Sequence, residues 1–135
     1  MNSPTLGSLK MIEALAPAQR TGAVDGDAFD TYHVINDPNL NAYIGWFKNA
    51  AIFVDQSAGS GNNGGNYLQV TIQGRHDAGD PWATIPQVSE IKITENAATG
   101  YYSRVLGPLL PQLRLVVTET GVADATFRAH VALEA

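Results

Sequence analysis

The sequence predicts an all-β domain: a jelly-roll-like antiparallel sandwich of about eight short strands, with an N-terminal arm or short helix in front of it. Three observations lead there. Short apolar runs are separated by clusters of Gly, Pro, Asn and Asp, with 13 Gly and 7 Pro in the chain, and such punctuation breaks helices of ordinary length. Segments 67–73, 113–118 and 127–134 alternate apolar and polar residues, the period of two that sends successive side chains to opposite faces of a sheet. Helical spacing shows only near the start, where Leu6, Leu9, Ile12 and Leu15 recur every third residue.

That first stretch fits a short helix ended by Pro17 or, with Gly7 against a helix, an extended arm lying across a neighbour. The segment "TGAVDGDAFDT" (21–31) reads as an irregular loop. A strand is expected at Tyr32–Ile35, closed by the turn "NDPN" (36–39), in which Asn and Asp bond back to the backbone and Pro38 fixes φ. In "YIGWFKNAAIFVD" the second half, Ala50–Val54, reads as a buried strand. Tyr67–Gln73 is the clearest strand: Leu68, Val70 and Ile72 face one way, Gln69, Thr71 and Gln73 the other. After the polar loop "GRHDAGDP" comes a short strand, Trp82–Ile85, broken by Pro86. Glu90–Thr94, Tyr101–Leu106, Leu113–Thr118 and Phe127–Leu133 complete the set, with the rigid connector "GPLLP" between the second and third of these. The predicted organisation is an arm and loop over residues 1–30 and a sandwich over 31–135.

The totals bound the function. A chain of 135 residues makes one domain with a core of useful size. The absence of Cys removes disulfides and thiolate metal sites. A net charge of −5 disfavours nucleic-acid binding, which needs a basic footprint to displace counterions. No leader-like apolar segment follows a basic start, and no apolar run approaches the ~18 residues of a membrane span. A protein made and used in soluble form inside a cell is expected.

Four constellations are candidates for chemistry. "GSGNNGG" (59–65) spaces Gly59, Gly61 and Gly64 as in a dinucleotide fingerprint. That fingerprint needs a helix N-terminus to receive the pyrophosphate, and here the best strand in the chain follows. The glycines are expected at a hairpin tip between Ala50–Val54 and Tyr67–Gln73. The twelve residues from Asp55 to Asn66 make a long loop, and long loops are often binding elements or disordered. His76, Asp77 and Asp80, with His33 and His130, offer metal-ligand atoms without any zinc spacing, and Asp25, Asp27 and Asp30 fall short of a calcium loop. No Cys nucleophile, nucleophile elbow or selected Ser-His-Asp trio is present, so no catalytic, cofactor or metal residues are assigned. Among the aromatics, Tyr101 and Tyr102 are adjacent, so in a strand one of them faces out; Trp46 and Phe47 obey the same rule, and Trp82 joins them as a candidate sugar-stacking or partner-binding ring.

The segments "LQVTIQGRHDAGDPWATI" and "RVLGPLLPQLRLVVTETGVADATFRAHVALE" resemble the small capsid cement (decoration) proteins of tailed bacteriophages, of the short jelly-roll type. Leu68–Gln73, Asp80–Ile85, Leu113–Thr118 and Thr126–Leu133 carry the likeness, which spans roughly residues 50–135. The chain departs from the pattern in its glycine-rich loop and its aromatic 36–49 region. The resemblance implies a non-enzymatic virion protein, made in the host cytoplasm. It implies binding to the outside of a capsid, bridging of major capsid subunits and meeting with copies of itself there. The expected partner contacts are the arm (Leu9, Ile12, Leu15) and the loop (Gly59, Gly61, Asn62, Asn63, Gly64). The rival expectations are a carbohydrate-binding or tail and baseplate module, and, further off, a small hydrolase using His76 or Asp80.

Overall fold

The structure, a computed structural model, describes residues 9–37, 41–85, 90–105 and 109–134, with backbone alone for 9, 33–37 and 41–45. Twelve strands and no helix make up its secondary structure among the described residues. They are β1 (Leu9–Arg20), β2 (Val24–Asp25), β3 (Phe29–Asp30), β4 (Tyr32–Asp37), β5 (Asn41–Trp46) and β6 (Asn49–Ser60), followed by β7 (Tyr67–Arg75), β8 (Ala83–Thr84), β9 (Ile91–Ile93), β10 (Thr99–Val105), β11 (Gln112–Thr120) and β12 (Asp124–Glu134). All pairings are antiparallel.

One sheet runs β1-β12-β6-β10. In the other, β11 and β7 are central; β2 and β3 pair with β11, and β8 and β9 pair with β7. The short pieces share edges: β2 lies against Val116 and Val117 and β3 against Gln112 and Leu113, so they form one interrupted strand. Likewise β8 lies against Gln73 and Gly74 and β9 against Leu68–Val70. Counted this way the sandwich has eight strand positions, ordered 1-8-3-6 in one sheet and 2-7-4-5 in the other, with the β4–β5 hairpin inserted between positions 2 and 3.

Alternation builds the core. Along β7 burial alternates without a break, and Leu68, Val70 and Ile72 are fully buried. They meet Leu113, Leu115 and Val117 of β11 within the sheet, and Ile52, Val54, Phe127, Val131 and Leu133 of the facing sheet complete the layer. Two sheets packed this way stand about 10 Å apart. Arg20 is folded into the margin of the core. Its guanidinium donates to the carbonyls of Ala16 (2.6 Å), Ala18 (3.1 Å) and Phe127 (2.7 Å) and lies over the Phe127 ring. Burial lowers its pKa, because the charge has been taken partly out of water.

Several expectations need correction. Residues 9–20 are neither helix nor detached arm but a twelve-residue strand paired to β12. A bulge between Glu13 and Leu15 produces the three-residue step from Ile12 to Leu15; Leu9 to Ile12 is in unbroken register, a second bulge lies between Leu15 and Ala18, and Leu6 is outside the described residues. The 21–31 segment is not wholly irregular, since it supplies β2 and β3. β5, which the sequence reading left unassigned, pairs with β4 from Tyr32↔Trp46 to Asp37↔Asn41. Of the expected "NDPN" turn, Asn36 and Asp37 are instead the last residues of β4, paired with Ala42 and Asn41, and Pro38 and Asn39 lie outside the described residues. The hairpin's base is anchored: the buried Thr31 donates through its N–H to Pro111 O (3.0 Å) and through its hydroxyl to Leu110 O (2.8 Å), and Phe47 N–H donates to Thr31 O (3.0 Å).

Candidate protein-binding face

The glycine loop occupies a corner rather than a hairpin tip. β6 continues to Ser60, so the connection is only 61–66, and it crosses from one sheet to the other. Asn62 organises it. Its Nδ2 donates to Asp124 O (2.8 Å) and Glu95 O (3.1 Å), and its Oδ1 accepts from Asp124 N–H (3.3 Å). Its own N–H and C=O exchange bonds with the amide of Asn96. Asn63 Oδ1 accepts from Gly65 N–H and Asn66 N–H, and Asn66 Oδ1 accepts from Val122 N–H. Gly59 is required by close approach, since a Cβ there would meet the amides of Asn62 and Gln56 at 2.5 Å. Gly61 takes a left-handed φ of 72° to start the turn.

This arrangement decides what the loop can bind. The N–H groups of Asn62, Asn63, Gly65 and Asn66 all have acceptors within the protein, so they do not form a cradle aimed at a phosphate. Gly59 and Asn62 are spent on tying three strand ends together; Asn63, Gly61 and Gly64 are exposed. In the arm, Leu15 is in the core and Ile12 packs against it, while Leu9 pairs through its backbone with Glu134. Ile12 and Leu15 are therefore structural, not presented to a partner. The bulge between Glu13 and Leu15 is what puts both on the inner side three residues apart.

The polar clusters also resolve into local structure. Asp77 and Asp80 close a turn on each other, Asp80 N–H to Asp77 O (3.0 Å) and Asp77 N–H to Asp80 Oδ2 (3.1 Å). Asp25 lies 3.6 Å from Arg114 and Asp30 accepts from Gln112. Among the described residues no group of three or more His, Asp or Glu is placed to hold a metal ion. Nor do the described residues contain a helix long and apolar enough to cross a membrane.

The two outer sheet faces differ sharply. On the β7–β11 face, Arg75 donates to Gln112 (2.7 Å), Gln112 to Asp30 (3.1 Å) and Arg114 to Gln73 (2.8 and 3.0 Å). Trp82 covers this lattice, with the Arg75 and Arg114 guanidinium carbons 4.2 and 4.5 Å from its ring centroid. Its ring is already engaged by two cations.

The outer face of the other sheet is apolar at its centre. Registers align three rows across it: Tyr102–Phe53–His130–Glu13, Arg104–Ala51–Ala132–Met11, and Gly100–Asp55–Arg128. Met11 is 57% exposed, Tyr102 55% and Phe53 37%. The Phe53 and Tyr102 rings touch, with centroids 5.1 Å apart. The small side chains of Ala51 and Ala132 keep the middle flat. Ion pairs rim the patch: Arg104–Glu134 at 2.9 Å and Arg128–Asp55 at 3.5 Å. The Tyr102 hydroxyl, and after it the Glu134 charge, hold the Arg104 pKa above its usual value. Beside the third row a cleft of about 290 Å³ is lined by Pro17, Ser57, Thr126 and the Asp55–Arg128 pair, among others. Large exposed apolar side chains gathered on a flat sheet and ringed by charge are the make-up of a protein-binding surface.

No known family model, curated protein or solved structure matches the chain.

Of the aromatics singled out from sequence, Tyr102 is on this face, Tyr101 packs toward the core, Phe47 is buried and Trp46 is exposed at the hairpin base, edge-on to Tyr32 at 5.8 Å. Met11 and Phe53 were missed. Phe53 had a usable signal: in "AAIFVD", a strand that points Ile52 and Val54 inward must point Phe53 outward.

Proposed function

We propose that the protein is a non-catalytic structural module of a bacteriophage virion, a cement protein that binds the outside of the capsid and bridges neighbouring major capsid subunits. One observation carries this most: the Met11–Phe53–Tyr102 face, where three of the exposed large apolar side chains share one sheet surface rimmed by ion pairs. The sequence likeness to small phage decoration proteins supports it independently. The strand order does so too. With 1-8-3-6 facing 2-7-4-5, every chain-adjacent pair but 4–5 crosses between sheets. We read that as a jelly roll, an architecture common among viral capsid and lectin domains. Architecture alone does not choose a function; the proposal rests on the patch and the likeness.

In this reading the patch seats on the seam between capsid subunits. Each contact is modest, and repetition over the shell gives firm attachment. The test is co-sedimentation of the purified protein with particles assembled from the major capsid protein of the same genome. Saturable binding that is lost in Phe53→Asp supports the proposal; a folded protein that leaves the particles bare refutes it. A glycan-binding reading has one observation in its favour, the exposed Trp46 ring. Glycan-array binding abolished by Trp46→Ala, with no particle binding, establishes it instead.

A further inference from the structure

The four sheet edges are not equally protected. β1 carries two bulges and Pro17. The β2/β3 edge is two separate two-residue pieces, and the β8/β9 edge is a two-residue and a three-residue piece. Such breaks are how proteins discourage strand addition. β10 has none: Thr99–Val105 runs seven residues in unbroken register with β6, without Pro, and with Arg104 as its only charge. Among the described residues, no strand pairs with its other side.

We propose that β10 is the self-association edge, and that two copies of this chain join there, antiparallel, about a two-fold axis at Tyr102. The residues along the strand are self-complementary in this register. Tyr102 meets its own copy, so the touching Phe53 and Tyr102 rings of each protomer continue into one row across the axis. Arg104 falls opposite Gly100 of the second copy. A Cβ added at Gly100 meets nothing within 4 Å, so the Arg104 side chain has room to pass over it. Beyond Gly100, in the same row and on the same face, stands Asp55. The contact links the two intramolecular ion pairs into an alternating chain, Glu134–Arg104–Asp55–Arg128, with the last two from the second copy; the twofold repeats it. An isologous contact needs this kind of self-complementarity, and strand addition supplies the backbone bonds. The result is a continuous sheet from two four-stranded halves, with the apolar patch doubled.

This inference specifies the self-association part of the capsid reading and rests on it for its biological setting only. Its test uses the purified protein without capsid, so failure of either leaves the other standing. Sedimentation equilibrium of the full chain is expected to give a monomer–dimer equilibrium. Gly100→Lys places a cation against Arg104 twice per dimer and is expected to weaken association at least about tenfold, with an unchanged circular dichroism spectrum. The chain has no cysteine, so Tyr102→Cys is a clean probe: on mild oxidation it is expected to form a disulfide-linked dimer, while Met11→Cys at the far margin of the face does not. A chain that stays monomeric at millimolar concentration, a trimer or larger ring, Gly100→Lys dimerising as well as the parent, or equal cross-linking of the two cysteine variants would each overturn the proposal.

Discussion

Replacing Asn62 tests whether the glycine loop is a structural corner or a displayed tip. Asn62 is 5% exposed, and its amide makes three bonds, to Asp124 O, Glu95 O and Asp124 N–H. In Asn62→Ala these are lost together. Glu95 O keeps a second donor, Gln56 Nε2 at 2.7 Å, so the cost falls mainly on Asp124, whose N–H and C=O both lose the amide. At roughly 1 kcal/mol for each net hydrogen bond, the loss is about 2–3 kcal/mol. For a domain of this size that lowers Tm by about 6–15 °C. Thermal melts followed by circular dichroism, with urea titration for the free energy, measure it. Asn63→Ala, whose side chain bonds only its own exposed turn, is the control and stays within about 1 kcal/mol. A variant Asn62→Ala within about 0.5 kcal/mol of the parent would refute the reasoning, because the loop would then contribute no more than an exposed tip.

Asn62→Asp sharpens the same test. The shape is kept, but a carboxylate replaces the donor that faces the Glu95 and Asp124 carbonyls. Burial beside carbonyl oxygens raises the folded-state pKa of that carboxyl above the unfolded value of about 3.9. The penalty is therefore absent below the unfolded value, grows as pH rises toward the folded value, and is complete above it. The variant is expected to be less stable than Asn62→Ala at pH 7 and to regain stability relative to the parent on acidification.

Gly121→Ala is expected to cost about 1–3 kcal/mol by urea titration, since Gly121 has φ 68° and a Cβ would collide with Asn66; Gly64→Ala, with open space around it, is near neutral. Phe127→Ala, which empties a fully buried ring site and removes the surface under Arg20, should cost about 3–5 kcal/mol. Trp82→Ala forfeits two cation–π contacts, about 1–2 kcal/mol of stability, and leaves particle binding unchanged in co-sedimentation. Phe53→Ala combined with Tyr102→Ala does the reverse: the fold holds, and affinity for particles falls at least about tenfold.

Strands with strict alternation were legible from sequence, because a half-buried strand writes its geometry directly into polarity; Tyr67–Arg75 is the clear case, and Gln112–Thr120 follows it as far as Leu115, after which Val116 and Val117 are both buried. β1 was not, because a bulge inserts a residue on one face and converts a period of two into spacings that mimic a helix. β2 and β3 were hidden for a different reason: two-residue pieces are too short to show any period, and only the register against β11 makes them one strand. The loop's glycines drew attention to the right segment for the wrong reason. Asn62 and Asn66 do the binding, to other parts of the same chain at separations of 33 to 62 residues, which no local pattern encodes.

The two outer faces differ in how readily a second protein could dock on them. Both sheets have two central strands and the same need for solubility, yet their long side chains are committed differently: a connected polar lattice on one face, separate ion pairs at the margins of the other. In the lattice Arg75, Arg114, Gln73 and Gln112 satisfy one another and Trp82 closes over them. A second protein docking on that face would have to break bonds already made. On the opposite face Ala51 and Ala132 withhold side chains from the centre, and Tyr102 and Met11 are more than half exposed, with Phe53 partly so beside Tyr102. Solubility alone favours polar residues at such positions. Their apolar character is consistent with a surface whose free energy is recovered on contact, and β10, the least protected edge, borders this same face. If the face served only as solvent-exposed surface, Phe53→Thr with Tyr102→Thr would raise solubility and leave both self-association and particle binding untouched. A loss of either, at unchanged fold, places the partner on this sheet.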